Sequence, residues 1–260
     1  SRKVAFEFGE AEFKKYSRLA EKCKKIIDLK GAAAEMRAIK SSREIEYIKK
    51  AQAHCLEFAQ SISPEEWEGR TEAELAGRLC ALAWENGMSG PSFTPIVSAA
   101  RNSSSPHHIP GEDIIEGLLM IDFGARYKGY CSDLTRTFIL DKFIKTFNTQ
   151  KLYESLKKAK EKAAALLRPG VSCGQIYSAA KESLEKDGLG KYFIHSLGHG
   201  VGLDIHERPY LKPGSKEILK EGMVLTVEPG IYIKEAFGMR TEDIYLITGE
   251  GRQRLNRKFR

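Results

Sequence analysis

The sequence predicts one large α+β domain of pseudo-two-fold design, with a sheet backed by helices and a metal site between its halves. Three observations lead there. First, the order of elements repeats: two helices and a carboxylate-bearing hairpin, then two helices and another carboxylate-bearing hairpin. Second, in IDFGARYKGYCSDLTRTF a hairpin centred on Tyr127 and Lys128, beside the turn-permissive Gly129, sets Asp122 directly opposite Asp133. Third, in VEPGIYIKEAFGMRTED a turn around Glu235 does the same for Glu228 and Glu242. Carboxylates facing each other at roughly 5 Å repel, so two such pairs call for something cationic between them, and a pair of divalent metal ions fits.

The elements follow from local signals. Ser41 with Glu44 forms a capping box that opens a helix through Ile62, with Ile45, Ile48, Ala51, Cys55, Ala59 and Ile62 as its apolar stripe. Thr71 with Glu74 opens another, ended near Gly87. Strand-like segments run from Thr94 to Ser98 and from Leu118 through Leu140. Thr149 to Arg168 reads as an amphipathic helix with Leu152, Leu156, Ala159, Ala163 and Leu166 on one face, stopped by Pro169 and Gly170. Ser172 with Gln175 opens the next helix, and strands return from Met223 to Ile233 and from Arg240 to Thr248. The sheet face opposite the carboxylates should be apolar.

Composition narrows the function. The net charge of +7 arises from 42 basic and 35 acidic residues, and part of the excess is the tail Arg252, Arg254, Arg257, Lys258 and Arg260. Such a tail reads as solvated, so no nucleic-acid partner is assigned. The cysteines, Cys23, Cys55, Cys80, Cys131 and Cys173, show neither metal-knuckle nor disulfide spacing, which points to reduced thiols and a cytoplasmic setting. No apolar run approaches a membrane span, and SRKVAFEFGE lacks the core of a signal peptide.

The histidines sharpen the metal reading. His54 falls within a helix, while His107 and His108 lie in SSSPHHIPGE and His195, His199 and His206 in HSLGHGVGLDIHERP. Gly198, Gly200 and Gly202 around His199 let backbone and imidazole approach a crowded site. Four carboxylates and one imidazole suit Mn²⁺, Co²⁺ or Fe²⁺ better than a structural zinc. Two such ions about 3.5 to 4 Å apart activate a bridging water, so hydrolysis is implied, with peptidase and phosphoesterase both open on chemistry alone.

The segments SSSPHHIPG, IDFGARYKGYCSDLTRTF, HSLGHGVGLDIHERP, EGMVLTVEPGIYI and GMRTEDIYLIT, in this order, resemble the catalytic domain of the pita-bread metallopeptidases. The closest pattern is the Xaa-Pro branch, which contains prolidase (Xaa-Pro dipeptidase) and aminopeptidase P. The resemblance implies the creatinase/aminopeptidase fold and a dinuclear centre with Asp122, Asp133, His199, Glu228 and Glu242 as ligands. Asp133 and Glu242 would bridge the ions, Asp122 would hold one, and His199 and Glu228 the other. Glu228 would also carry the proton from the nucleophilic hydroxide's parent water to the leaving amine. His107, after Pro106, and His206, in DIHE, match the substrate-side histidines that stabilise the oxyanion, with His108 the rival to His107. His195 and Tyr130 would line the pocket, and Arg240 would keep carboxylates ionised from behind the ligands.

The implied reaction is hydrolysis of the bond preceding proline in short peptides, with Mn²⁺ as the first choice of metal and Co²⁺ as the alternative. GMRTED favours this over methionine aminopeptidase, which shares fold and ligands; a non-catalytic binding module of the same fold would be expected to lose ligands, and here all five positions are filled. Residues 41–260 correspond to the catalytic domain. Residues 1–40 resemble only the closing stretch of a creatinase-like N-terminal domain and its linker, a portion that in the family supports homodimers and limits peptide length.

Overall fold

A computed structural model of the protein describes residues 3–7, 13–139 and 148–255. Its first part is a small parallel pair, β1 (Lys3–Phe6) and β2 (Lys25–Asp28), joined through α1 (Phe13–Lys22) and followed by α2 (Ala32–Ala38). None of these was resolved into elements by sequence reasoning; β1, β2 and α2 are each too short for a periodic signal to accumulate.

The first half then opens with α3 (Ser42–Ser61), α4 (Pro64–Trp67) and α5 (Glu72–Glu85). Both expected capping boxes form: Ser41 and Thr71 accept from the amides of Glu44 and Glu74, whose carboxylates take the cap amides in return. Three strands follow in the antiparallel order β3 (Ile96–Ala99), β4 (Leu118–Phe123), β7 (Leu134–Ile139), with β5 (Arg126–Tyr127) and β6 (Tyr130–Cys131) closing the tip between β4 and β7. Leu140, the last residue of the expected strand, lies outside the described residues.

The second half repeats this plan. Two helices, α6 (Thr149–Ala165) and α7 (Cys173–Lys186), lead into β8 (Gly198–Gly200), β9 (Glu207–Leu211), β10 (Val224–Val227), β11 (Gly230–Ile233), β12 (Phe237–Arg240), β13 (Asp243–Thr248) and β14 (Gly251–Arg254). Helix α6 stops three residues short of the expected Arg168, because the Leu166 and Leu167 amides turn back to the Ala163 and Ala164 carbonyls in a tightened last turn before Pro169. The third capping box, Ser172 with Gln175, forms as expected. The sheet order is β14-β13-β10-β8-β9, so β8 stands beside β10 as β3 stands beside β4.

Strand β4 shows how the site is carried. All six of its residues are buried, and alternate side chains enter different cores. Leu119, Ile121 and Phe123 pack with Leu56, Leu75 and Leu79 of the helices behind the first half. Leu118 and Met120 join Leu156, Ala159 and Ile176 of α6 and α7. Asp122 shares parity with this second set, so its carboxyl emerges where the two halves meet. Leu156 is fully buried in that second core; Leu156→Ala should cost about 3 kcal/mol, read as a lower urea midpoint at unchanged slope.

The basic tail is corrected in part. Arg252 and Arg254 belong to β14, and Arg254 Nη2 lies 2.6 Å from the buried Asp243 Oδ2; Arg257, Lys258 and Arg260 lie outside the described residues. Among the described residues no helix is long and apolar enough to cross a membrane.

Candidate metal centre

The two hairpins behave differently. In the second, Val227 faces Asp243 across β10 and β13, and Gly230 faces Arg240 across β11 and β12, so one register runs through both ladders. Glu228 and Glu242 fall opposite each other in the gap between them, with Glu235 at the tip in a left-handed conformation, φ 64°. In the first, the turn is Lys128–Gly129, at φ 51° and 90°, the pair of positive values that a two-residue hairpin loop demands. Tyr127 therefore faces Tyr130, and Asp122 faces Thr135 rather than Asp133. The expected centre on Tyr127 and Lys128 is one residue early. The Asp133 carboxyl still lies close enough to that of Asp122 for the two to act on each other electrostatically.

His199 enters from β8, whose glycines are dictated by crowding. A Cβ on Gly198 would lie 2.1 Å from the Thr226 carbonyl oxygen, and one on Gly200 at 2.1 Å from that of Arg208. His199 Nδ1 sits 3.1 Å from the Gly200 carbonyl oxygen, which orients Nε2 toward Glu228 Oε1 at 3.1 Å and Asp133 Oδ2 at 3.5 Å. Ligand atoms of Asp133, His199 and Glu242 all lie within 4.8 Å of one another.

Three buried oxygens here, Asp122 Oδ1, Asp133 Oδ1 and Glu242 Oε1, have no hydrogen-bond partner. Buried acceptors without donors are costly, and carboxylate oxygens pointing at one another are doubly so. The donor set is oxygen-rich with one imidazole, which suits hard or borderline divalent ions, so the residues fit such ions.

The remaining oxygens are held by side chains that carry little sequence signature. Thr135 Oγ1 donates to Glu242 Oε2 at 2.7 Å, Thr226 Oγ1 to Glu228 Oε1 at 3.0 Å, and Arg240 Nη2 to Asp122 Oδ2 at 2.5 Å. Arg240 is buried, and also donates to Thr135 Oγ1 and the Tyr232 hydroxyl. Gln52 Oε1 accepts the Asp133 amide from α3. Thr135, Thr226, Tyr232 and Gln52 were missed; only Thr135, as the strand residue within the acidic hairpin, could have been inferred from register.

Burial, then the neighbouring carboxylates, push Asp133 and Glu242 well above the ordinary carboxyl range. Burial also raises Asp122, against the pull of Arg240. Burial would raise Glu228 too, but His199, His195 and Arg240 outweigh it and hold it at about 2. Behind Glu242, Asp243 is gripped by Lys160 at 2.5 Å and Arg136 at 3.1 Å, while Arg136 Nη1 donates to the Glu242 carbonyl at 2.6 Å.

Above these residues opens a cleft of about 570 Å³ lined by Asp122, Asp133, His199, Glu228, Arg240 and four more histidines. His107 and His206 are exposed at its mouth, and the His206 ring stands edge-on to His199 at 4.2 Å. His108 also lines it, but its Nε2 is 2.6 Å from the fully buried Glu72, which leaves His107 the freer of the two. His195 is held through Nδ1 by the Ser196 carbonyl and packs on Tyr232, and burial lowers it to about 4. Tyr130 is not brought to the cleft: its place beside Tyr127 turns it toward α3, where its hydroxyl donates to Glu44 Oε1 at 2.7 Å.

Comparison with known proteins agrees with the geometry. The chain is 39% identical over 250 residues to the Xaa-Pro dipeptidase of Pyrococcus furiosus, covering 95% of this chain and 70% of that protein. The solved prolidase of the same organism superposes with a TM-score of 0.92 at 35% identity, over 100% of this chain and 77% of that one. The X-Pro aminopeptidase of Thermotoga maritima gives a TM-score of 0.89 at 31% identity, over 100% of this chain and 74% of that one. Residues 44–249, which carry both hairpins, His199 and every orphaned oxygen, match the model of metallopeptidase family M24, and the chain belongs to that family.

Proposed function

We propose that this chain hydrolyses the peptide bond preceding proline in short peptides, with two divalent ions, Mn²⁺ first and Co²⁺ as the alternative, held by Asp122, Asp133, His199, Glu228 and Glu242. The observation that carries the reading is the convergence of three partnerless buried carboxylate oxygens with His199 and Glu228 beneath a cleft that Asp122, Asp133, His199 and Glu228 line. When bound, such ions supply a water acidic enough to be a nucleophile and a Lewis acid for the scissile carbonyl. Asp122, Asp133 and Glu242 each have one oxygen free to hold an ion, and Asp133 and Glu242, which the resemblance assigns to the shared positions, are pushed toward protonation by burial and then by their neighbours unless a cation intervenes.

The remaining work falls to side chains. Glu228, held ionised, accepts the proton of the attacking water and delivers it to the departing proline nitrogen. His206 and His107, at the mouth, donate to the carbonyl oxygen as negative charge grows there, each worth about 3 kcal/mol by comparison with other oxyanion donors. Arg240 fixes Asp122 and, through Thr135, Glu242. Proline lacks the amide N–H that general peptidases bind, so it must be recognised by shape. Phe93, Pro95, Ile96, Ile205 and Tyr210 provide an apolar wall for a pyrrolidine ring. A volume of about 570 Å³ suits a peptide of a few residues. Residues 41–260 form the catalytic unit in this reading, with residues 1–40 as the end of a preceding domain.

The test is hydrolysis of an Xaa-Pro dipeptide, an Xaa-Pro-Xaa peptide and Met-Ala by metal-stripped protein, with and without Mn²⁺. Metal-dependent cleavage confined to the bond before proline is expected. Cleavage of Met-Ala in preference would replace the reading with methionine aminopeptidase, and silence on all three with two ions bound would turn it to a binding module.

A further inference from the structure

His206 hangs from a loop whose apolar anchorage is Val201 and Ile205, which pack on Ile48 and Val224 and leave the His206 side of the chain to be fixed by polar contacts. Between β8 and β9 the pairing slips at His199 and Gly200, and Leu203, Asp204 and His206, which cross the gap, are exposed. Such slips re-aim the residues that follow them. Charge beneath the loop holds it. Glu207 folds its carboxylate inward against Gly202, where a Cβ would stand 2.3 Å from Glu207 Oε1. Lys40 Nζ meets Oε1 at 2.7 Å, and Arg37 Nη2 lies 2.7 Å from Oε2 and 2.6 Å from Asp204 Oδ2. The chain on both sides of His206 is thus tied to two cations from one short segment.

That segment is itself fixed. The Lys40 amide donates to the Gly222 carbonyl at 2.9 Å, and Ile39 bridges to Met223 just before β10. The Lys40 side chain is 1% exposed. Sinking an ammonium and a carboxylate together costs desolvation that an exposed pair would avoid, and a solvated polar turn would close this loop at less expense. What the buried pair adds is a single position for the residue next to Glu207.

We propose that Lys40 and Glu207 are positioning residues, which set the His206 imidazole over the metal centre so that the linker after α2 is a working part of the active site. The proposal rests on the role given above to His206. Arg37 serves as the outer arm of the same clamp, and the N-terminal segment then acts on catalysis through its last residues.

A double-mutant cycle of Lys40→Met with His206→Ala tests this, with kcat and KM measured on an Xaa-Pro peptide and metal content checked in each variant. Lys40→Met should lower kcat by roughly tenfold with KM little changed, as expected for a misplaced group. In the His206→Ala background it should have no further effect. An additive loss, or an unchanged kcat, overturns the proposal. Arg37→Gln, whose side chain is 32% exposed, enters the same cycle if Lys40→Met does not fold. A second readout is independent of turnover: the His206 Cε1–H resonance, assigned by its loss in His206→Ala, should shift in Lys40→Met while that of His54 does not. A protein that cleaves no Xaa-Pro peptide but shows this shift refutes the proposed function and upholds the clamp; an unmoved resonance in an active enzyme does the reverse.

Discussion

Glu228→Gln lowers kcat on an Xaa-Pro peptide by roughly 10³-fold while the protein remains folded. Glutamine keeps the shape and can still take the Thr226 hydroxyl's hydrogen bond, now 3.0 Å from Glu228 Oε1. It cannot accept a proton. The carboxylate is well placed to do so, because His199, His195 and Arg240 overcome burial and keep it ionised. Steady-state kinetics beside a metal assay check the result. A variant with more than a tenth of the parent's kcat and full metal would mean that another group moves the proton.

Removing the metal should destabilise the protein, and more so at pH 8 than at pH 5. Asp122, Asp133 and Glu242 all have raised pKa values in the folded chain. A carboxyl whose folded value exceeds its unfolded value binds more protons when folded, so stability falls as pH rises from the ordinary carboxyl range through the raised values. Glu228 runs the other way, contributing stability that is lost only as pH falls toward its folded value of about 2. His195 and His206, lowered by burial, also favour the folded state as pH rises, so the carboxyl groups are read from the difference between stripped and reloaded protein at each pH. Added Mn²⁺ at a hundred times its dissociation constant contributes about 2.7 kcal/mol per site. Thermal melts of stripped and reloaded protein at both pH values read this directly. Equal melting temperatures with and without metal at pH 8 would show that no cation relieves these carboxylates.

Much of this was legible because the signals were local. A capping box places two hydrogen bonds within four residues, and Ser41, Thr71 and Ser172 all cap as expected. The second hairpin's register was readable from its symmetry about Glu235. The first was misplaced by one residue, since Tyr127, Lys128 and Gly129 offer two adjacent turn centres and only the pairing of β5 with β6 chooses between them. Tyr130, expected at the pocket from the resemblance, instead turns its hydroxyl to Glu44 of α3. Strand β8 escaped notice because GHG has neither apolar alternation nor β-branched residues; its glycines record the closeness of neighbouring backbones instead. Thr226 and Gln52 act through geometry set by distant strands and a helix, which no spacing along the chain announces.

The shared register of the β10–β13 and β11–β12 ladders sets where this chain can tolerate changes of length. Glu228 and Glu242 face each other because equal numbers of residues separate them from the tip at Glu235. Extra residues added at that exposed tip lengthen the loop and leave both ladders, and therefore the carboxylate pair, in place. A single deletion between Gly230 and Ile233, or between Phe237 and Arg240, would turn one acid to the opposite face of the sheet. The tip is thus the natural point for inserting a tag or a reporter peptide, while the arms beside it must keep their length.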